Sequence, residues 1–247
     1  MRRTTFKPYK VSIVISALDS HMVVKRQITH FRRMKLPDSV EIILIDDGSD
    51  PPLASLNQTC HNLHIYPTGD TRPWSQACAR NLGALIAQGE YLLMTDIDHI
   101  LTKELIESVL IFSGSKVVFS REYGVLNNHC QLTQKLSTLK RYGLPVQRRR
   151  NLRVGMHTNS FAMKRSIYEA IDGYPTHVCN RPLKGNKGDK YMYQRFLRYS
   201  KAGHCEWQVR GPHPIYTWPG LPEDPLGIFN QLPRGDRNAV QENGTSQ

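Results

Sequence analysis

The sequence predicts an α/β fold in which a mostly parallel sheet is flanked by helices. Between residues 10 and 112, short apolar segments rich in β-branched residues alternate with segments of helical spacing. Such uniformly apolar strands are typical of a sheet that is covered on both faces. Polar residues end or follow three of them, at Ser16, at Asp46 and Asp47, and at Asp96 and Asp98. Because ligands of parallel α/β sheets bind beyond the carboxyl ends of the strands, these residues mark the expected site.

The predicted elements alternate regularly in the first half of the chain and less regularly in the second. Strands are expected at residues 10–17, 40–45, 63–66, 90–95 and 116–120, with shorter ones near 154–163, 205–210 and 214–218. Helices are expected at residues 20–34, 73–88, 102–112, 131–142, 164–171 and 189–201. In the second of these helices, Gly89 suits the C-terminal cap. In the same helix, Trp74, Cys78, Leu82, Leu85 and Ile86 are predicted to fall on one face.

Bulk properties exclude several classes of protein. No apolar segment approaches the roughly 20 residues that a membrane-spanning helix needs. The basic N-terminus lacks the apolar core and cleavage site of a signal peptide, which favours a cytoplasmic location. The five cysteines are widely spaced and include no C-x-x-C pair. Reduced thiols are therefore expected rather than a disulfide framework or a zinc site.

The excess positive charge lies in one stretch. Residues 131–210 hold 17 Lys and Arg against 4 Asp and Glu, whereas the rest of the chain holds 16 against 17. A concentrated basic block favours a polyanionic partner such as DNA, an anionic membrane face or a phosphorylated substrate. A solvated basic surface is the alternative. The residues predicted to contact such a partner are Arg148, Arg149, Arg150 and Arg153.

Asp96 and Asp98 form a D-x-D pair at the end of a hydrophobic strand. Carboxylate oxygens suit Mg²⁺ or Mn²⁺, which take phosphate oxygens as further ligands. A diphosphate leaving group needs such a metal to neutralise its developing charge. Aspartates also cap loops and helices after strands, so the pair by itself is a weak indication.

The surrounding sequence makes the indication specific. The strand VSIVIS followed by EIILIDDGSD, then Ala79-Arg80-Asn81-Leu82-Gly83, Ala87-x-Gly89-Glu90-Tyr91 and the D-x-D pair resembles the core signature of family 2 glycosyltransferases. The segments PWSQACARNLGA and MTDIDHIL are also similar to those of bacteriophage-encoded members. The resemblance implies a GT-A fold in one domain over residues 1–220. Its nucleotide-sugar-binding half would be 10–112 and its acceptor-side half 113–220, with an extension at 221–247.

The resemblance also implies roles for individual residues. Ser16 and Asp47 would contact the nucleoside of a nucleotide-sugar donor, commonly a UDP-sugar, and Arg80 and Asn81 would line the donor pocket. Asp96 would face the ribose or the sugar and share the metal, Mn²⁺ or Mg²⁺, with Asp98. Most members follow the first strand with Pro-x-Tyr-Asn, whereas this chain has Ala17-Leu18-Asp19. The chain therefore departs from the family at the position of these nucleobase contacts.

Direct displacement at an anomeric carbon needs a carboxylate that takes the proton of the acceptor hydroxyl. Asp189 opens a predicted helix, next to a glycine and upstream of an aromatic residue and an arginine, as the base does in this family. An N-terminal helix cap is the alternative role for Asp189, and Asp172 is the weaker candidate for the base. His213 is a candidate third metal ligand, since some GT-A enzymes use a C-terminal histidine.

Three classes of function are compatible with the sequence. The first is an inverting glycosyltransferase whose acceptor is hydroxylated DNA, a phosphorylated lipid or a polysaccharide precursor. The second is a nucleotidyltransferase, although the segment SALDSHM after the first strand lacks the glycines of a phosphate-binding loop. The third is a non-catalytic module that binds nucleic acid through the basic block.

Overall fold

The computed structural model of the 247-residue chain describes residues 9–70, 72, 75–142, 144, 146, 148, 152–156, 158–179 and 188–217. The predicted extension at residues 221–247 lies outside these ranges, as do Trp74, Arg149 and Arg150. Within the described ranges, no helix is long and apolar enough to cross a membrane.

The described elements follow the predicted order. The strands are β1 (Val11–Ala17), β2 (Val40–Asp46), β3 (Leu63–Pro67), β4 (Tyr91–Asp96), β5 (His99–Ile100), β6 (Lys116–Val118), β7 (Arg121–Tyr123), β8 (Val125–Leu126), β9 (Leu132–Thr133), β10 (Phe161–Lys164), β11 (Val209–Arg210) and β12 (Ile215–Thr217). The helices are α1 (His21–Met34), α2 (Gln76–Ile86), α3 (Lys103–Leu110), α4 (Leu136–Arg141), α5 (Arg165–Ala170) and α6 (Gly188–Lys201).

A seven-stranded sheet forms the centre of the molecule, in the order β11-β6-β10-β4-β1-β2-β3. The strands β3, β2, β1 and β4 are parallel, which confirms the predicted mostly parallel sheet. In contrast, β10 runs antiparallel between β4 and β6, so the sheet becomes mixed toward the second half of the chain. A smaller sheet, β5-β12-β7, holds the segment that follows β4.

Helices cover both faces of the large sheet, as the uniformly apolar strands predict. Along β1, Ile13 and Ile15 face the core beneath α1 and α3, whereas Val14 faces the core beneath α2, α5 and α6. This alternation follows from the two-residue period of a strand. Buried side chains cover both faces, and the central strands pair their backbone groups with neighbouring strands.

Of the residues predicted to share one face of α2, Cys78, Leu82 and Ile86 pack against the core, but Leu85 does not. Leu85 is 80% exposed, whereas Ala77, Ala84 and Arg80 are buried. The helix lies so close to the sheet that a Cβ on Gly83 would come within 2.4 Å of Val14 Cγ1. Small residues therefore form the contact, and the larger apolar side chains lie at its margins or in solvent.

The predicted role of Gly89 is also wrong. The C-cap of α2 is Ala87, and the backbone there is extended. Gly89 instead lies against β1, where its N–H donates to Ser12 Oγ at 2.8 Å. A Cβ at Gly89 would lie 2.6 Å from the backbone nitrogen of Ser12. The glycine is required for this close approach rather than for a left-handed cap.

The predicted helix at residues 131–142 is shorter than expected. Residues 132–133 form β9, which pairs with β8 in a hairpin, and α4 begins at Leu136. The Asn127 side chain stabilises the turn, because its Oδ1 accepts from the backbone N–H groups of His129 and Gln131. An asparagine that bonds the backbone in this way competes with helix formation.

Candidate active site

The carboxyl ends of β1, β2 and β4 meet at one edge of the sheet. Ser16 lies beside Asp96 in the pairing of β1 with β4, and Ala17 lies beside Asp46 in the pairing of β1 with β2. The polar residues that the sequence places after separate strands are thus neighbours.

The two aspartates after β2 differ in their surroundings. Asp46 accepts from the backbone N–H groups of Ser49 and Leu53, at 2.8 and 2.7 Å, and so holds the following loop. Asp47 accepts from Ser75 Oγ at 2.6 Å, which ties the loop to the start of α2. Both carboxylates are buried, and Asp47 faces the segment between β3 and α2.

Ser16 is the last residue but one of β1. It is 7% exposed, and its Oγ has no hydrogen-bond partner among the described residues. A buried hydroxyl without a protein partner keeps its hydrogen-bonding capacity for a ligand, a water or an ion.

Asp96, Asp98 and His99 form a compact group just after β4. Their potential ligand atoms all lie within 4.8 Å of one another. Burial lowers the pKa of His99 to about 4, so its imidazole is neutral at physiological pH. Ser160 Oγ lies 2.7 Å from His99 Nδ1 and orients the ring. Two carboxylates and a neutral imidazole are a donor set that fits Mn²⁺, whereas Mg²⁺ prefers oxygen alone.

His213, the candidate ligand from the sequence, is not part of this group. It lies instead close enough to Glu104 to contribute to the lowered pKa of that carboxyl, which results mainly from hydrogen bonds with the Glu104 backbone and with Thr102. The structure therefore places His99 beside the aspartates and His213 near the start of α3. A metal role for His213 stays a prediction.

Arg80 joins the two halves of the site. Its side chain is 3% exposed, and it forms ion pairs with Asp96 and with Asp189. Nη1 donates to Asp189 Oδ1 at 3.0 Å, and Nη2 donates to Asp96 Oδ1. The guanidinium also lies 5.0 Å from the centre of the Tyr174 ring. Burial lowers the pKa of Arg80, but the carboxylates raise it more, so the group remains charged.

Asp189 is in the first turn of α6 and its side chain is 37% exposed. Its ion pair with Arg80 places the carboxylate near Asp96, at the same edge of the sheet. Asp172, the weaker candidate, is 93% exposed and pairs with Arg195 at 3.1 Å. The two candidates for the general base thus differ in burial and in their ion-pair partner, which is Arg80 for Asp189 and Arg195 for Asp172.

Asn81 uses its side-chain amide within the protein. Its Oδ1 accepts from Tyr168 Oη and from the Tyr174 backbone N–H, at 2.7 and 2.9 Å, and its Nδ2 donates to the Tyr174 carbonyl. These bonds hold the turn after α5 against α2. Asn81 therefore supports Tyr174, the ring beneath Arg80, and a direct contact with a donor stays a prediction.

Two members of the predicted basic surface are described. Arg148 and Arg153 are both exposed, and Arg153 forms an isolated backbone bridge with Glu122. Arg149 and Arg150 lie outside the described residues.

The sequence contained no signal for the Arg80–Asp189 ion pair or for the Ser160–His99 contact. The two residues are 109 positions apart in the first pair and 61 in the second, so each pair forms only when distant segments pack together.

The mostly parallel sheet with flanking helices matches the fold of solved GT-A glycosyltransferases. Residues 11–122 match the family model described as glycosyltransferase like family 2. No curated protein matches the chain.

Solved structures similar to the chain have low sequence identity. S. aureus TarS 1–349 has a TM-score of 0.57 and 14% identity over 90% of this chain and 62% of that one. The mannosyltransferase PcManGT from Pyrobaculum calidifontis, solved with GDP-Man and Mn²⁺, has a TM-score of 0.58 and 15% identity over 89% and 59%. TarS 1–349 has also been solved with UDP-GlcNAc. The chain thus spans less than two thirds of these structures.

Proposed function

We propose that this chain is a metal-dependent glycosyltransferase that moves a sugar from a nucleotide-diphosphate donor to a hydroxyl acceptor. The group of Asp96, Asp98 and His99 at the end of β4 in a GT-A fold carries the proposal. Support comes from the family match over residues 11–122 and from similar structures that hold nucleotide-sugars.

Asp96, Asp98 and His99 would hold Mn²⁺, which would neutralise the charge that develops on the diphosphate leaving group. Ser16, with its buried and unpartnered Oγ, and Asp47, at the end of β2, would contact the nucleoside. A uridine nucleotide is proposed because the family commonly uses one and because TarS binds UDP-GlcNAc.

Asp189 would act as the general base in an inverting displacement. Arg80 holds its Oδ1, which leaves Oδ2 to take the proton of the acceptor hydroxyl as that oxygen attacks the anomeric carbon. Because Arg80 also holds Asp96, it keeps the base at a fixed distance from the metal-binding residues. The helix that carries the base is thus positioned by a residue of the donor-binding half.

The acceptor is proposed to be polyanionic, as hydroxylated DNA is, because the basic block coincides with the acceptor-side half. Arg148 and Arg153 are exposed and available to phosphates. A phosphorylated lipid or a polysaccharide precursor is the alternative acceptor.

Donor binding and hydrolysis test the enzymatic part of the proposal. UDP- and GDP-sugars would be screened by calorimetry with and without Mn²⁺, and release of the nucleoside diphosphate would be followed by chromatography. We expect one donor to bind only with the metal. Asp98→Asn should lose that binding and the hydrolysis, whereas Asp38→Asn, an exposed change outside the site, should retain both. Metal-independent turnover by Asp98→Asn would overturn the metal site.

Salt dependence tests the acceptor. Binding to duplex DNA should weaken with salt with a log–log slope of about −0.9 per phosphate contact. A triple alanine variant at 148–150 should reduce that slope by up to about three units. A matched control would replace three exposed basic residues outside the block, namely Lys25, Arg33 and Lys103. Binding to anionic vesicles but not to DNA would support the lipid acceptor. Binding to neither would leave the basic block as a solvated surface.

A further inference from the structure

Two cysteine sulfurs from distant parts of the chain lie in contact. Cys78 Sγ and Cys179 Sγ are 3.4 Å apart, although the residues are 101 positions apart in the sequence. All five cysteines belong to the described residues and all are free thiols. The pairing is therefore a product of the tertiary structure rather than of a sequence motif.

The pair joins two parts of the chain that carry site residues. Cys78 lies in α2, two positions before Arg80, and Cys179 follows the short 3₁₀ helix Thr176–Val178, ten positions before Asp189. The sulfurs need to approach by only about 1.4 Å to reach the roughly 2.0 Å of a disulfide bond. A covalent bond there would tie α2 to the segment that precedes α6.

The surroundings give the two sulfurs different roles. Cys78 is partly exposed, and Arg72 Nη2 donates to its Sγ at 2.9 Å. Arg72 is itself paired with Asp70, so it is the exposure of Cys78 that makes this sulfur the one a dissolved oxidant reaches first. Cys179 is buried, and burial raises the pKa of its thiol to about 11. Because Cys179 is buried and its sulfur lies 3.4 Å from that of Cys78, its role is to resolve a mixed disulfide formed at Cys78.

We propose that Cys78 and Cys179 form a reversible disulfide when the protein meets a small disulfide oxidant such as oxidised glutathione. The Cys78 sulfur attacks one sulfur of the oxidant, which forms a mixed disulfide and releases one thiolate. Cys179 Sγ then attacks Cys78 Sγ and releases the second thiolate. The protein pair loses two electrons, the oxidant gains two, and the two thiol protons pass to the released thiolates.

Thiol mapping tests the proposal on the full chain. The protein is equilibrated with mixtures of reduced and oxidised glutathione, free thiols are alkylated, and tryptic peptides are analysed by mass spectrometry. We expect a peptide containing Cys78 linked to one containing Cys179, with Cys60, Cys130 and Cys205 alkylated. The link should disappear on treatment with dithiothreitol. Free thiols at both positions under oxidising mixtures, or a link from Cys78 to another cysteine, would overturn the proposal.

Single variants separate the attacking from the resolving sulfur. Cys179→Ser should accumulate glutathione on Cys78, whereas Cys78→Ser should leave Cys179 unmodified. Cys60→Ser is the matched control and should form the 78–179 link as the wild type does. Persistent glutathione on Cys78 in the wild type would show that Cys179 does not resolve it. These measurements do not use sugar transfer, so the disulfide and the proposed function can fail independently.

Discussion

Arg80 and Asp189 are 109 positions apart in the sequence, yet Arg80 Nη1 donates to Asp189 Oδ1 at 3.0 Å. The same guanidinium is paired with Asp96, so one buried cation balances a carboxylate from each half of the chain. Burying a charge is costly unless it is paired and hydrogen-bonded, which makes the arrangement sensitive to any change of Arg80.

Replacement of Arg80 should destabilise the protein. Arg80→Met removes the cation and leaves the Asp96 carboxylate largely buried, which typically costs about 3–5 kcal/mol of unfolding free energy. Arg80→Lys should recover only part of the loss, because an ammonium lacks the planar fork that bonds two carboxylates. Urea unfolding at pH 7 measures the change. Lys103→Met, whose surface pair with Glu107 contributes little, is the control. An unchanged midpoint for Arg80→Met would contradict the role of the pair.

Replacement of Asp189 should affect transfer without affecting the fold. Asp189→Asn should lower turnover by roughly 10²–10⁴, the contribution of general-base catalysis, and should leave donor affinity unchanged. The carboxamide oxygen can still accept from Arg80, so the melting temperature should barely move. Asp172→Asn, at the exposed alternative, should retain full turnover. The base would be misassigned if Asp189→Asn were active and Asp172→Asn were not.

Lys116 should make stability depend on pH. It is 2% exposed and lies against the rings of Phe161 and Phe196, and burial lowers its pKa to about 7. An unfolded lysine titrates near 10.4, so between these values the unfolded state binds more protons. The unfolding free energy should therefore rise with pH above 7, by up to about 1.4 kcal/mol per unit from this group.

Lys116→Met tests this dependence. The variant should be more stable than the wild type at pH 7 and should lose the rise between pH 7 and 9. Lys103→Met again serves as the control, because its side chain is exposed and should leave the slope intact. Parallel stability curves for the wild type and Lys116→Met would show that Lys116 is not the source.

Gly89→Ala should reduce stability although it replaces a flexible residue. The added Cβ would lie 2.6 Å from the backbone nitrogen of Ser12, and a central strand cannot shift as a side chain can. We expect a loss of about 1–3 kcal/mol, the usual effect of overpacking. Gln88→Ala, at the exposed neighbouring position, should be close to neutral. Thermal melting compares the two, and equal melting temperatures would contradict the close approach.

The sequence by itself determined the order of strands and helices in the first half and the position of the D-x-D pair at the end of β4. Both depend on local patterns, since the periodicity of apolar residues and the ends of strands are set by residues close together in the sequence. The same patterns overextended the helix before Arg141, because the local Asn127 turn and the β8–β9 hairpin precede it. They misplaced part of the core-facing side of α2, because the close contact at Gly83 depends on packing against β1.

Only the tertiary structure decided what surrounds the site. The antiparallel β10 brings Ser160 to His99, and α6 brings Asp189 to Arg80, across 61 and 109 positions of sequence. Cys78 and Cys179 meet in the same way, and Lys116 becomes a buried amine although its position in the sequence resembles an ordinary strand end. Such contacts follow from the packing of distant segments, and no periodicity or motif in either segment specifies its partner.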